Sequence, residues 1–170
     1  MTTTESAPES TAVAQKTAWA WAIGTFFGIG KLKPGPGTWA SVATVGLWRV
    51  FAPFAGEYQI PVAIAAAALV TAVGIPAATR VARESGRKDP GFVVIDEVAG
   101  QLIALIGAPL HWKTLLASLI LFRAFDIVKP PPLRRLEDVR EGAGIMLDDV
   151  GAGIFALAAM QALRHFGLLP

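Results

Sequence analysis

The sequence contains no cysteine and only two histidines, His111 and His165. A disulfide and a thiolate nucleophile are therefore excluded, and cysteine cannot contribute to a metal site. The two histidines are far apart in the chain and neither is near an acidic cluster, which argues against a Ser-His-Asp triad and a multi-histidine metal centre. Acidic, basic and hydroxyl side chains are left to carry any chemistry.

Charged residues are also scarce, at 16%, compared with about 25% in soluble globular proteins. The apolar fraction is 54% and the mean hydropathy is +0.52, which excludes a disordered chain or a fibre and favours a membrane protein. The net charge of +2 is small, and the basic residues do not form one stripe. We therefore expect no nucleic-acid partner, whereas anionic membrane lipid or phosphate suits this charge better.

Five apolar stretches are predicted to be helices, because they are rich in Ala and Leu and lack the alternation of strands. They are residues 38–54, 60–79, 92–110, 112–128 and 144–163. The second has no charge and is long enough to cross a hydrocarbon core of about 30 Å. The predicted fold class is an all-α, polytopic helical membrane bundle with about four to five spans. The alternative is a soluble helical domain, whose buried helices are also apolar all round.

The basic residues of the connections support the membrane interpretation. From the N-terminus onward, successive connections contain three, none, four, one, four and one Lys or Arg. This alternation follows the positive-inside rule and predicts a multi-pass protein of the bacterial inner membrane with a cytoplasmic N-terminus. We expect residues 1–15 to form a disordered tail and 16–170 a single helical domain, with 17–30 interfacial or re-entrant. Small residues on the helix faces permit a homo-oligomer.

The charges inside the apolar stretches fall at their ends, and the predicted topology places all of those ends on the cytoplasmic side. They form three groups: Asp96 with Glu97, Arg123 with Asp126 and the nearby Lys129, and Asp148 with Asp149. Each group alone has a simpler explanation, either a helix cap or an ion pair within one helix. Together they predict a site for a hard cation such as Mg²⁺, which prefers oxygen ligands and can bridge carboxylates to a phosphate.

A glycine-rich loop, GIGKLKPGPGTWAS at residues 28–41, precedes the first long apolar stretch. It lacks the P-loop order of glycine and lysine, so a nucleotide P-loop is rejected. Its backbone N–H groups are nevertheless suited to a phosphate, with Thr38 as a cap or a phosphate ligand. A structured turn before a membrane span is the alternative.

Four segments together resemble the phosphatidylglycerophosphatase A family of bacteria. They are GIGKLKPGPGTWAS (28–41), DPGFVVIDEVAGQ (89–101), FRAFDIVKPPPLRRLE (122–137) and GAGIMLDDVGAG (142–153). The resemblance implies an all-helical enzyme that hydrolyses the phosphate monoester of phosphatidylglycerophosphate with Mg²⁺, yielding phosphatidylglycerol and phosphate. Ala40 departs from the family pattern, in which a Gly usually precedes the Ser, and Gly35 replaces a more typical small residue.

The resemblance and the residue types together suggest roles for the matched side chains. The expected Mg²⁺ ligands are Asp96, Asp126, Asp148 and Asp149. The expected catalytic residues are Asp96 and Glu97, one of which positions the attacking water. The expected substrate-binding residues, at the cytoplasmic face, are Lys31, Lys33, Thr38, Arg123 and Lys129.

Two rival functions remain open from the sequence. A phosphotransferase that uses a CDP-activated lipid also needs acids, Mg²⁺ and membrane helices, but its D-G-x-x-A-R…G-x-x-x-D-x-x-x-D signature is absent. A small membrane transporter or ion-binding subunit would place its ionisable groups near the bilayer midplane, whereas these groups fall at one face.

Overall fold

The computed structural model describes residues 16–131, 133 and 141–170. The predicted tail 1–15 and the basic residues Arg134, Arg135 and Arg140 lie outside the described residues. The part of the chain that is described is helical and contains no strand. The all-α prediction is therefore confirmed for these residues.

The α-helices are α1 (Ala18–Gly24), α2 (Pro36–Phe51), α3 (Gln59–Ser85), α4 (Ile95–Ala104), α5 (Trp112–Val128) and α6 (Glu141–His165). Two short 3₁₀ helices, Ile29–Lys31 and Ala52–Tyr58, precede α2 and α3. Local sequence sets several boundaries. Pro36 opens α2, where its missing N–H is not needed, and the left-handed Gly86 ends α3. Lys129, also left-handed, ends α5 immediately before Pro130.

Helix α4 lies at the centre of the bundle and packs against α2, α3, α5 and α6. Nearly all of its side chains are buried, including the polar Asp96 and Gln101. Its 10 residues extend only about 15 Å, too short to cross a bilayer. The predicted stretch 92–110 is thus a short, enclosed helix followed by a turn.

Two helical stretches are long and apolar enough to cross a membrane, judged by length and composition: Pro36–Ser85, which joins α2 and α3, and Gly142–His165 in α6. Only 22% of the most apolar part of the first is buried inside the protein. Large side chains such as Val50, Leu69 and, on α5, Ile120 are more than half exposed. An aqueous monomer rarely presents so much contiguous apolar surface. The predicted count of four to five spans remains a prediction.

Helix α1 is attached to α3 through the carboxylate of Glu84. Thr17 donates to it from its backbone N–H over 2.9 Å, and the Trp21 indole N–H donates over 2.8 Å. Arg80, one turn earlier on α3, completes the cluster with an ion pair of 2.7 Å. These contacts hold α1 against α3, ahead of the glycine-rich segment.

Candidate active site

The three predicted acidic groups meet at one end of the bundle. They surround a cavity of about 120 Å³ between the first turn of α4, the last turn of α5 and the early turns of α6. The cavity is lined by Asp89, Gly91, Val93, Asp96, Glu97, Asp126, Lys129, Ile145, Asp148 and Asp149. The structure thus brings together every acidic side chain that the sequence suggested for the site.

A close crossing of α4 and α6 positions two of these acids. Gly100 and Gly153 face each other, and a Cβ on Gly153 would lie 2.5 Å from the carbonyl oxygen of Gly100. Asp96 is one turn before Gly100 on α4, and Asp149 is one turn before Gly153 on α6. Because residues four apart share a helix face, the glycine contact also brings Asp96 and Asp149 together.

Asp96, Glu97 and Asp149 form the tightest carboxylate group. Each offers one oxygen, and these oxygens lie within 4.8 Å of one another. Asp96 Oδ1, Glu97 Oε2 and Asp149 Oδ2 are buried and have no hydrogen-bond partner. Buried carboxylate oxygens are normally paired, so three orphans in one place need a cation or protons. This donor set fits Mg²⁺, a hard cation with oxygen ligands.

The two other acids are paired with basic side chains. Asp126 Oδ2 lies 2.6 Å from Arg123 Nη1, and Asp148 Oδ2 lies 2.6 Å from Lys129 Nζ. Arg123 Nη1 is also 3.7 Å from Glu97 Oε1, so it bridges α5 to α4. Of the four predicted metal ligands, Asp96 and Asp149 thus lie in the tight group, whereas Asp126 and Asp148 hold the predicted phosphate-binding side chains.

The site carries excess negative charge. Among the described side chains, six carboxylates, Asp89 included, face two basic groups, Arg123 and Lys129. Burial raises the pKa of Asp96 well above its usual range, and the nearby Glu97 and Asp149 raise it further. Burial likewise raises the pKa of Glu97, although contacts with Asp96 and Arg123 oppose this effect. A bound divalent cation would reverse this preference and favour the ionised carboxylates.

The glycine-rich segment reaches the site through one residue that the sequence analysis gave no role. Gly37, buried at the start of α2, lies so close to Glu97 that a Cβ there would overlap Glu97 Oε1. The same Cβ would lie 3.1 Å from Arg123 Nη1. Glycine is therefore needed at this position by close approach, a requirement that only the three-dimensional arrangement reveals.

The remaining predicted substrate-binding residues of this segment, Lys31, Lys33 and Thr38, are exposed and are not part of the cavity lining. Lys31 lines a separate groove beside α1. Asp89 does line the cavity, although the sequence analysis gave it no role. Its position in an Asp-Pro-Gly turn directly before the Asp96–Glu97 helix was the signal available for it.

A protein family and several known proteins are similar to this chain over most of its length. The family model described as Phosphatidylglycerophosphatase A matches residues 22–164. A Haemophilus influenzae protein named phosphatidylglycerophosphatase A is 36% identical over 144 residues, which covers 84% of this chain and 86% of the relative. The Escherichia coli protein of the same name is 31% identical over 143 residues, covering 82% and 80%.

A third relative has a different name. A Bacteroides thetaiotaomicron protein, provisionally named a phosphatidylinositol-3-phosphatase, is 36% identical over 150 residues, covering 84% of this chain and 91% of the relative. No solved structure matches the chain. The family match extends over most of the chain and includes all six acids of the cavity together with Arg123 and Lys129. The chain therefore belongs to the phosphatidylglycerophosphatase A family of phosphatases.

Proposed function

We propose that this protein hydrolyses the phosphate monoester of phosphatidylglycerophosphate in a Mg²⁺-dependent reaction of glycerophospholipid biosynthesis. The observation that carries this proposal is the cavity in which three buried carboxylates, each with one oxygen that has no hydrogen-bond partner, lie next to two basic side chains that are held by acids. A phosphate dianion would be repelled by the carboxylates alone. The site therefore needs a cation as well as the basic side chains to accept such a substrate.

Asp96, Glu97 and Asp149 are the residues that would hold Mg²⁺, because their free oxygens converge. Asp126 and Asp148, which the sequence also suggested as ligands, lie next to this group. They would bind the ion as well if the substrate drew Arg123 and Lys129 away from them. When bound, the ion would neutralise phosphate charge and make water a better nucleophile.

Arg123 and Lys129 would bind the phosphoryl oxygens. The guanidinium of Arg123 offers a planar fork that matches two oxygens, whereas Lys129 contributes a compact point charge. Before substrate binds, Asp126 and Asp148 hold these two groups at the cavity, so little side-chain freedom remains to be lost. Lys31, Lys33 and Thr38, which are exposed and outside the cavity lining, stay proposed substrate-binding residues.

The reaction needs one water molecule. Asp96 or Glu97 would accept a hydrogen bond from this water and orient its oxygen toward phosphorus. The P–O bond to the terminal glycerol then breaks as the new P–O bond forms. The leaving glycerol oxygen gains a proton, and the products are phosphatidylglycerol and inorganic phosphate. Neither a cysteine nor a histidine nucleophile is required, which agrees with the composition.

We place the protein in the bacterial inner membrane as a multi-pass protein with this cavity at the cytoplasmic face. The alternation of basic connections, the exposed apolar helix faces and the position of all site charges at one end support this placement. In this arrangement α2, α3, α5 and α6 are the crossing helices, and α4 is enclosed among them.

A phosphoinositide monoester is the second candidate substrate, favoured by the name of the Bacteroides thetaiotaomicron relative. Phosphate release from phosphatidylglycerophosphate and from phosphatidylinositol 3-phosphate, measured with the purified protein in the same micelles, separates the two. We expect the first to have the higher kcat/KM, and the opposite order would reassign the substrate. Release of CMP from a CDP-lipid, or cation flux in liposomes without phosphate release, would instead support one of the two rival functions.

A further inference from the structure

Helix α1 and the segment that follows it expose large apolar side chains, and that segment also carries basic ones. Phe27 is 81% exposed, and Trp19 and Leu32 are about half exposed. Lys31 and Lys33 flank Leu32 and are also exposed. Aromatic rings with neighbouring lysines are typical of protein surfaces at the headgroup level of a bilayer.

The backbone holds Phe27 outward in a defined turn. Phe26 and Phe27 have φ values of 46° and 53°, in the left-handed region that residues other than Gly, Asn and Asp seldom adopt. The turn is nevertheless fully tied: Phe27 N–H donates to the Ala22 carbonyl over 2.6 Å, and Gly28 N–H donates to Thr25 Oγ1 over 3.0 Å. Phe26 packs against the core, whereas the Phe27 ring is exposed, so this hydrogen-bonded turn presents Phe27 to the surroundings of the protein.

This turn borders the candidate active site. Val94 N–H donates to the Gly24 carbonyl over 2.8 Å, and the Trp21 and Phe92 rings stack with centroids 5.3 Å apart. Phe92 lies between Gly91 and Val93, both of which line the acidic cavity. The surface and the cavity therefore lie at the same end of the bundle and share one loop.

A groove beside Phe27 combines apolar walls with a single cation. It has a volume of about 310 Å³ and is lined by Trp21, Ala22, Thr25, Phe27, Gly28 and Lys31. Aromatic walls and one ammonium group match the glycerol and phosphodiester region of a phospholipid, whereas the Thr25 hydroxyl is already hydrogen-bonded within the turn. The charge of Lys31 and of the nearby Lys33 favours an anionic headgroup over a zwitterionic one.

We propose that the surface formed by Phe27, Leu32, Lys31 and Lys33 binds anionic phospholipid of the surrounding bilayer beside the active site. Phe27 inserts at the boundary between headgroups and acyl chains, and the groove accepts one headgroup. This inference rests on the membrane location proposed above but requires no turnover. Its failure is therefore distinguishable from failure of the proposed hydrolysis.

The absence of cysteine makes the depth of Phe27 directly measurable in the full chain. A nitroxide on Phe27→Cys, in phosphatidylcholine vesicles containing phosphatidylserine, is compared with one on Lys88→Cys, an exposed position in the loop just before the cavity residues. We expect the Phe27 label to be more accessible to oxygen than to a water-soluble nickel complex, and the Lys88 label to show the reverse. An aqueous pattern at both positions would overturn the proposal.

The headgroup preference is tested without altering Phe27. The association of spin-labelled phosphatidylserine relative to phosphatidylcholine is measured by electron paramagnetic resonance for wild type, Lys31→Gln and Lys113→Gln. Lys113 lies at the start of α5, whereas the last turn of α5 forms part of the site. Lys113 is therefore at the opposite end of this helix from the site and serves as the control. We expect Lys31→Gln to weaken the preference about fivefold, as one lysine near an anionic surface contributes, and Lys113→Gln to leave it unchanged. Equal preferences in wild type and Lys31→Gln would contradict the assignment of the groove.

Discussion

Gly37 offers a sharp test of how the site is assembled, because replacing it with alanine adds one methyl group at the point where α2 meets α4 and α5. The new Cβ would overlap Glu97 Oε1 and lie 3.1 Å from Arg123 Nη1. The overlapped atom is the end of a flexible side chain, so Glu97 can move away without displacing a helix. We therefore expect the free energy of unfolding to fall by no more than about 1 kcal/mol, because the better helix propensity of alanine offsets part of the loss.

Activity should respond far more strongly than stability. Glu97 would be pushed out of the group it forms with Asp96 and Asp149, and misplacement of a catalytic group by about 1 Å can reduce the rate about 100-fold. We expect kcat for phosphate release from phosphatidylglycerophosphate to fall by about that factor, with the thermal unfolding midpoint in detergent nearly unchanged.

The matched control lies in the same helix. A Cβ added to Gly46 would meet no atom within 4 Å, so Gly46→Ala should keep wild-type kcat and be neutral or stabilising by up to about 1 kcal/mol. Wild-type kcat in Gly37→Ala, or an equal loss in both variants, would refute the argument that close approach at Gly37 positions Glu97.

Three further outcomes follow from the structure. Gly100→Ala should lower the free energy of unfolding by about 1–3 kcal/mol, because its Cβ would meet the Phe122 ring and the rigid backbone carbonyl of Asp149. Equal unfolding midpoints for Gly100→Ala and Gly46→Ala would contradict this prediction. Arg123→Lys should reduce kcat/KM about 10- to 100-fold through loss of the forked hydrogen bonds, and unchanged steady-state kinetics would remove Arg123 from phosphate binding. Added Mg²⁺ should raise the thermal unfolding midpoint of wild type over that in EDTA, but not that of Asp149→Asn; an equal shift in both would place the ion elsewhere.

Much of the fold could be predicted from hydropathy, because long apolar stretches leave few choices other than helices. The predicted stretch 112–128 coincides with α5, and 144–163 lies within α6. The stretch 92–110 was harder, because periodicity does not distinguish a full span from a short buried helix. Only packing by four neighbouring helices shows that α4 is enclosed and ends at Ala104.

The candidate site could be predicted as a set of residues but not as an arrangement. Charges at matching helix ends indicated that Asp96, Asp126 and Asp149 converge, and they do line one cavity. Which acids group together and which pair with bases depends on helix rotation and on the glycine crossing, which sequence spacing does not determine. For the same reason Glu97, expected only as a catalytic residue, lies within the tight carboxylate group, and Gly37 received no role.

The proposed Mg²⁺-dependent hydrolysis is tested by phosphate release from phosphatidylglycerophosphate, measured for the detergent-purified protein with Mg²⁺ and with EDTA. Wild type, Asp149→Asn and Glu57→Gln are compared. Glu57 is an exposed acid after the end of α2 that lies away from the cavity, and it controls for the change from acid to amide. We expect Mg²⁺-dependent release that is retained in Glu57→Gln and lost in Asp149→Asn. Release that persists in EDTA, or full activity in Asp149→Asn, would contradict it.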